Sequence, residues 1–292
     1  MRKHPVLLGL IIIGVILGVF LLLIFFLTRF GEERAFALGD RIAVVDIKGV
    51  ITSSRGIVEQ IENYAEDDAV KAIVLRINSP GGAVGPSQEI YREVLRAREK
   101  KKVIASMESV AASGGYYVAC ASDVIVANPG TITGSIGVVM EFSNIEDLLR
   151  KIGLQSYVVK SGKHKDIGSP VRKMTSEEKA ILQGVIDSVH NQFVRAVAEG
   201  RDLEEGKVRQ LADGRIFSGE QAKELGLIDR LGGLQDAIEI AAEMVGIKGK
   251  PAVIYPKRKL SLYELLLTKS LRILMDEVWQ GEYRLSYVMC SP

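Results

Sequence analysis

The chain has 292 residues, of which 25% are charged, and its formal net charge is +2 at pH 7. Because basic residues barely outnumber acidic ones, no basic field predicts nucleic-acid binding. Only two cysteines are present, Cys120 and Cys290, and their wide separation excludes a disulfide-stapled scaffold and a cysteine-based metal site. Stability must therefore come from an ordinary hydrophobic core, in which we expect Cys120 to be buried.

Near its N-terminus the chain carries an uncharged apolar run from Val6 to Leu27. At about 1.5 Å per residue, a helix of this length crosses a hydrocarbon layer about 30 Å thick. Arg2 and Lys3 precede the run and favour a cytoplasmic N-terminus, with the remaining chain outside the cytoplasm. We therefore expect residues 1–40 to form a cytoplasmic stub, a membrane anchor and a linker. A cleaved signal peptide is the alternative, because Ala35-Phe36-Ala37 resembles a signal-peptidase site.

From residue 41 onward, short runs rich in Val and Ile alternate with helical stretches. This alternation predicts an α/β fold with a largely parallel sheet and helical crossovers. The predicted strands are Ile42–Ile47, Ala72–Ile77, Val103–Met107, Asp123–Ala127, Ser156–Val159 and Ala252–Tyr255. The predicted helices are Gly56–Ala65, Ser87–Lys101, Ile145–Lys151, a longer helix from 176 to about 198, and Leu234–Val245. Thr175 and Glu178 have the capping-box spacing that begins the longer helix.

The last part of the chain has a different pattern, with apolar residues recurring at helical spacing from Leu260 to Val278. Such an amphipathic tail packs on its own domain, on a neighbouring chain or on a membrane surface. We therefore expect residues 41–256 to form the globular domain, with Gly214–Gly233 adding a short strand and helix. Residues 257–292 are expected to form the tail.

Four glycine-containing turns follow predicted strands. They are 79–82, 113–115, 130–137 and 161–166. In an open α/β sheet the ligand crevice lies beyond the carboxyl ends of the strands, so we expect these turns to converge. The third turn resembles a phosphate cradle, but it lacks the Gly-Lys-Ser/Thr ending of a P-loop, which argues against nucleotide binding.

One serine stands in a setting that suits a nucleophile. Ser113 lies between Ala112 and two glycines, at the start of a helical stretch. A reachable hydroxyl without bulky neighbours lets a carbonyl carbon approach the backbone N–H groups. A flexible surface turn has the same pattern. Of the three histidines, His4 precedes the anchor and His190 lies mid-helix, which leaves His164 or a neighbouring lysine as the base.

A lysine acts as a base only when it is deprotonated near neutral pH. Its reference pKa of about 10.4 must then fall by about 3. Burial without a carboxylate partner lowers it in this way. Asp166 directly follows Lys165, but neighbours in an extended loop point in opposite directions, so the two need not pair. A solvated surface role is the alternative for any of these lysines.

Several segments resemble the membrane-anchored signal peptide peptidases of the S49 serine peptidase group, in their short, single-copy form. They are Arg76–Gly82, Ala112–Tyr117, Gly134–Val138, Ser161–Asp166, Ala212–Arg215 and Ser218–Ala222. The resemblance covers residues 41–246 and is specific because the segments occur in this order. It implies a ClpP/crotonase-like fold of strand–strand–helix units, no cofactor, no catalytic metal and a bowl-like homo-oligomer.

The family mechanism is a Ser-Lys dyad. Its positions match Ser113 as the nucleophile and Lys165 as the general base, and Ser135 matches the residue that orients the lysine amine. The resemblance leaves open whether one protomer supplies both dyad residues or shares them with a neighbour.

The backbone donors of the oxyanion hole match Gly82 and Gly114. A substrate strand is expected to lie along the Gly81-Gly82 edge by β-augmentation.

Taken together, the resemblance implies a membrane-anchored serine endopeptidase that degrades signal peptide remnants and other unfolded or membrane-released peptides. A crotonase-like acyl-CoA enzyme is one alternative, because Gly82 and Gly114 would also stabilise a thioester oxyanion. A non-catalytic membrane scaffold with a vestigial site is another. A hydrolase that pairs Ser113 with His164 is the third.

Overall fold

The computed structural model describes residues 13–20, 22–23 and 39–255. The chain divides into two compact units, Met1–Gly39 and Asp40–Pro292. In the first unit, residues 13–20 and 22–23 are helical. Among the described residues, no helix has both the length and the apolar character needed to cross a bilayer. Most of the predicted span and the whole predicted tail lie outside the described residues.

The second unit is built on one eight-stranded sheet with the order β6-β5-β3-β2-β1-β8, in which β4 pairs with β3 and β7. The strands are β1 (Arg41–Lys48), β2 (Val70–Ser79), β3 (Lys102–Ala112), β4 (Val124–Ala127), β5 (Ile132–Gly134), β6 (Ile216–Ser218), β7 (Arg230–Leu231) and β8 (Ala252–Ile254). The helices are α1 (Arg55–Glu66), α2 (Val84–Arg98), α3 (Gly114–Ala119), α4 (Glu146–Lys151), α5 (Ser176–Arg201), α6 (Glu205–Leu211), α7 (Gly219–Glu224) and α8 (Leu234–Met244). The pairings are parallel except for β5 with β6, so the predicted largely parallel α/β sheet is confirmed.

The central strands are buried on both faces, which explains why they are nearly continuous apolar runs. On one face, Val44 and Val74 pack with Ile238 of α8. On the other face, Val45 and Leu75 belong to a larger cluster that includes residues of α1, α2, α3 and α5. Helices on both faces make this a three-layer arrangement with the sheet at its centre.

On the side away from β2, strand β3 pairs with two different strands along its length. Its first part, Ile104–Met107, pairs with β4, and its last part, Val110–Ala112, pairs with β5. Between them, the hydroxyl of Thr131 donates a 2.6 Å hydrogen bond to the carbonyl oxygen of Glu108. The sequence predicted that this strand would end at Met107. Its continuation carries the chain directly to Ser113.

The predicted strand Ser156–Val159 is wrong. This stretch has no regular secondary structure, and Tyr157 and Val159 are each more than four-fifths exposed. Its β-branched composition suits a strand, but a strand needs a neighbour to satisfy its backbone N–H and C=O groups. Among residues 39–255, no strand pairs with it.

Helix α5 begins with the predicted capping box. The hydroxyl of Thr175 accepts a 3.2 Å hydrogen bond from the Glu178 N–H, and the Glu178 carboxylate accepts a 2.9 Å bond from the Thr175 N–H. The predicted long helix is therefore confirmed, and it extends to Arg201. Cys120 is fully buried, as expected, and burial raises the pKa of its thiol to about 12.

Two glycines of α5 differ in what surrounds them. A methyl group added at Gly200 would lie 2.0 Å from the carbonyl oxygen of Cys120, whereas one added at Gly184 would meet nothing within 4 Å. The chain therefore needs glycine at position 200 for close packing of α5 on the end of α3, and does not need it at position 184.

We expect Gly200→Ala to lower the free energy of unfolding by about 1–3 kcal/mol, because overpacking forces the backbone to shift. The matched variant Gly184→Ala is expected to raise it by about 0.5–1 kcal/mol, because alanine favours the helix. Chemical denaturation of the two variants measures both effects. Equal stabilities for the two variants would contradict this packing.

Candidate active site

Ser113 occupies a strained turn between β3 and α3. Its φ is +51° and its ψ is −122°, a combination that residues with a side chain rarely adopt. Two backbone hydrogen bonds hold it there: Ser113 N–H donates to the Gly134 oxygen at 2.8 Å, and Tyr117 N–H donates to the Ser113 oxygen at 2.8 Å. The residue is half-buried, and within residues 39–255 its hydroxyl makes no hydrogen bond.

The loop that follows β2 lies directly against this turn. Gly81 has φ +102°, and a methyl group added there would lie 2.6 Å from the Gly114 nitrogen. A methyl group added at Gly82 would lie 2.3 Å from the Ile51 oxygen. Glycine at position 81 therefore lets the loop approach the Ser113 turn, and glycine at position 82 lets it approach Ile51.

Two backbone N–H groups beside Ser113 are free. In the described part of the chain, neither the Gly82 N–H nor the Gly114 N–H makes a hydrogen bond. The two lie close together, because a methyl group added at Gly114 would be 3.3 Å from the Gly82 nitrogen. Two adjacent free donors are the arrangement that stabilises negative charge developing on an oxygen atom.

A pocket opens beside Ser113 and these donors. Its lining also includes Ser87, Gln88 and Gly137. The apolar part of its wall consists of Val84, Tyr117, Val138, Val189 and Phe193. The ring of Tyr117 packs at 4.9 Å from that of Phe193. The pocket therefore offers an apolar surface of side-chain size next to the free serine hydroxyl.

Sequence reasoning did not identify the α5 side of this pocket. Val189 and Phe193 lie far along the chain from Ser113, and only the fold brings them together. Their spacing of four residues places both on one face of α5, which is the signal that the sequence offered. A side-chain hydrogen bond also joins α5 to α2, because Gln192 accepts a 2.8 Å hydrogen bond from Gln88.

Ser135 lies at the same end of the sheet. It directly follows Gly134, whose oxygen accepts the hydrogen bond from Ser113, and it has φ +51°. Its N–H donates a 2.8 Å hydrogen bond to the Arg215 oxygen. The structure thus brings together three of the four predicted turns.

The fourth turn does not follow a strand. Lys165 lies in it with an exposed side chain that is not part of the pocket lining. Among the described residues its amine makes no hydrogen bond or ion pair. His164 also lies outside the pocket lining, and its Nε2 is 3.4 Å from a carboxylate oxygen of Glu177.

An ion-pair network joins this turn to the beginning of α5. Arg172 donates from Nε and Nη2 to the Asp166 carboxylate, both at 2.9 Å, and from Nη1 to Glu178 at 2.8 Å. Hydrogen bonds from Arg172 hold the pKa of Asp166 well below its usual range. They also lower the pKa of Glu178 to about 2, so both carboxylates are charged at neutral pH.

Comparison with known families identifies the chain's class. Residues 96–248, just over half of the chain, match the family described as Peptidase family S49. The chain belongs to peptidase family S49. Residues 33–129 match the family described as Clp protease, which fits the predicted ClpP/crotonase-like fold. Membership of S49 makes the chain a peptidase by class and favours peptide chemistry over the acyl-CoA alternative.

Individual relatives have names that agree with this class. "Putative protease slr0021" from Synechocystis is 48% identical over 208 residues, which are 71% of this chain and 75% of the relative. "Putative protease MJ0651" from Methanocaldococcus jannaschii is 40% identical over 69% of this chain and 65% of its own length. "Putative signal peptide peptidase SppA" from Enterococcus faecium is 41% identical over 62% of this chain and 53% of its own length. The chain thus spans less than two thirds of the last two relatives.

The strained conformation of Ser113 has a measurable consequence for stability. Glycine adopts φ +51° and ψ −122° without steric cost, so we expect Ser113→Gly to be more stable than Ser113→Ala by about 1 kcal/mol. Both variants lack the hydroxyl, so the comparison isolates the effect of the β-carbon. Thermal and chemical denaturation measure the difference. A Ser113→Ala protein at least as stable as Ser113→Gly would show that the turn is unstrained.

Proposed function

We propose that the chain is a membrane-anchored serine endopeptidase that degrades signal peptide remnants and other unfolded or membrane-released peptides. One observation supports this above all: a free serine hydroxyl on a strained turn stands beside the unpaired N–H groups of Gly82 and Gly114. Family membership supports peptide cleavage. The name of the Enterococcus relative supports signal peptides as a substrate class.

In the proposed reaction, the Ser113 oxygen attacks the carbonyl carbon of the scissile peptide bond, and the serine proton passes to the neutral amine of Lys165. The carbonyl oxygen becomes an oxyanion that the N–H groups of Gly82 and Gly114 stabilise. The C–N bond then breaks, and the protonated Lys165 returns its proton to the leaving amine. Water, activated by the same amine, releases the acyl group from Ser113. Ser135 orients the lysine amine.

The surroundings of the loop restrict where a substrate strand can lie. Ile51 already pairs with this loop, because its N–H donates to the Gly81 oxygen at 2.8 Å and its oxygen accepts from Ala83 at 2.8 Å. A substrate strand along Gly81-Gly82 would therefore pair on the opposite side, towards Ser113. An apolar side chain beside the scissile bond would enter the pocket whose wall includes Tyr117 and Phe193.

We also propose that the enzyme is a homo-oligomer whose neighbouring protomers share the dyad. Residues 138–159 carry apolar side chains that stay exposed in the single chain, including Val139, Tyr157 and Val159, each more than four-fifths exposed. Large exposed apolar patches are typical of interaction surfaces. Lys165 follows this segment and is not part of the pocket lining. In the proposed assembly, the lysine that acts on Ser113 therefore comes from a second copy that packs on the segment.

The location of the enzyme is part of the same proposal. The apolar run from Val6 to Leu27 would anchor the chain in the membrane. Arg2 and Lys3 would keep the short N-terminal flank in the cytoplasm, so the peptidase unit would lie on the opposite side. Peptides released from the membrane would then reach the site from the extracytoplasmic face.

Loss of either dyad residue tests the proposed chemistry. We expect Ser113→Ala and Lys165→Ala each to lower kcat/KM for a fluorogenic peptide by at least about 10³-fold, because nucleophile and base act as one unit. A serine-directed phosphonate should label the wild type and leave Ser113→Ala unlabelled. The neighbouring variants His164→Ala and Lys163→Ala are expected to keep near-wild-type activity. Near-full activity of Lys165→Ala would reject the dyad, and an inactive His164→Ala would favour histidine as the base.

A mixing experiment tests whether protomers share the dyad. Ser113→Ala and Lys165→Ala subunits, each inactive alone, are expected to regain activity when they are co-expressed in one cell. Mixed neighbours then include pairs in which one subunit supplies Ser113 and the other supplies Lys165. No recovery in verified mixed oligomers would show that each protomer uses its own lysine.

A further inference from the structure

We propose that Arg172 is a positioning residue that keeps the Lys165 amine free of an anionic partner, by holding the carboxylate of the adjacent Asp166. The inference rests on the proposed role of Lys165 as the general base. It assigns a task in the reaction to a residue that touches neither Ser113 nor the pocket.

The contact between Arg172 and Asp166 has the two-point geometry of a strong ion pair. Both oxygens of the Asp166 carboxylate accept hydrogen bonds from the guanidinium, from Nε and from Nη2, each at 2.9 Å. The guanidinium also donates to the backbone oxygen of Asp166 at 3.2 Å. Lys160 binds the same carboxylate from a second side. The acceptor positions of Asp166 are thus largely occupied.

The other carboxylates around Lys165 are also paired with other cationic groups. The segment 160–178 contains three: Asp166, Glu177 and Glu178. Glu178 is buried and pairs with Arg172, and Glu177 pairs with Lys163 and His164. Each carboxylate of this segment therefore has a cationic partner other than Lys165. Lys173, the remaining cation of the segment, has no described ion pair either.

One further helix packs against this segment, because the N–H of Ile145 at the start of α4 donates a 2.7 Å hydrogen bond to the Pro170 oxygen. In α4, Asp147 pairs with Arg150. Glu146 makes no ion pair with Lys165 or with any other described cation. The helix therefore supplies no carboxylate partner to the Lys165 amine in this structure.

The absence of an anion matters because of the protonation state that a base needs. A carboxylate within about 4–6 Å of a lysine stabilises the ammonium form and raises its pKa by about 1–3. A lysine that becomes buried without such a partner loses its charge more readily. Asp166 is the next residue after Lys165, and in this turn it is the carboxylate nearest to Lys165 along the chain. Arg172 therefore prevents the pairing that would protonate the base.

The pH dependence of kcat/KM tests this role, because its acid limb reports the base in the free enzyme. In Arg172→Gln the Asp166 carboxylate keeps Lys160 at one oxygen, and its other oxygen is freed for Lys165. A higher pKa of the amine moves the acid limb to higher pH, by about 1 unit or more. Arg172→Gln combined with Asp166→Asn removes the carboxylate next to Lys165, while Glu178 stays bound to the Thr175 N–H, so the limb is expected to return towards its wild-type position.

A merely structural role of Arg172 predicts a different result. Activity would then fall equally at all pH values, and Asp166→Asn would not restore the position of the limb. That outcome overturns the inference. The single variant Asp166→Asn provides a second check that is independent of the folding of Arg172→Gln. Its acid limb should coincide with the wild type, and a limb moved to lower pH would show that Asp166 already acts on Lys165.

The matched control is Arg96→Gln, which removes an exposed arginine of α2 that pairs with Glu93. Its pH profile is expected to equal that of the wild type. Lys165→Ala separates this inference from the proposed function. If that variant keeps its activity, lysine is not the base and the proposed function fails. If it is inactive while Arg172→Gln keeps the wild-type profile, only the role of Arg172 fails.

Discussion

The close approach of the Gly81 loop to the turn at Ser113 is the constraint on which the site depends. A side chain at Gly81 would collide with the Gly114 nitrogen, so the two backbones touch only because glycine stands there. This approach places the free N–H groups of Gly82 and Gly114 side by side. The long strand β3 supplies the other half of the constraint, because its last residues pair with β5 and fix the turn through the Gly134 oxygen. Strain at a single serine is thus held by two hydrogen bonds, one to β5 and one from α3.

Much of this arrangement could be predicted from the sequence, and the reasons are physical. Parallel strands buried on both faces are continuous apolar runs, so β1, β2 and β4 were predicted close to their observed bounds. Strand β5 was missed because three residues ending in glycine carry too little pattern to distinguish a strand from a turn. Ser156–Val159 was predicted as a strand because its composition resembles one, but composition does not reveal whether a neighbour exists to pair with it. The distance between Lys165 and Ser113 could not be predicted either, because composition does not reveal which distant segments become neighbours.

Ion pairs have a structural role where the turn that contains Lys165 leads into α5. Glu178 caps the helix through the Thr175 N–H and also binds Arg172, so one buried carboxylate satisfies a helix end and an ion pair. The same helix carries Val189 and Phe193 to the wall of the pocket. The beginning of α5 is therefore tied to the turn that contains Lys165, while its middle contacts the cleft beside Ser113. A displacement of this helix would therefore move both the wall of the pocket and the turn that contains Lys165.

The short strand β8 has a consequence for where the polypeptide tolerates cleavage. It pairs with the start of β1 through Arg41, Ile42 and Ala43, and so covers an outer border of the sheet. Uncovered borders of this kind attract other strands and promote aggregation. A protease that cut before Ala252 would remove this cover and leave β1 as an exposed edge prone to self-association. A cut beyond Tyr255 would leave β8 paired with β1, so the sheet tolerates C-terminal cleavage from directly after β8.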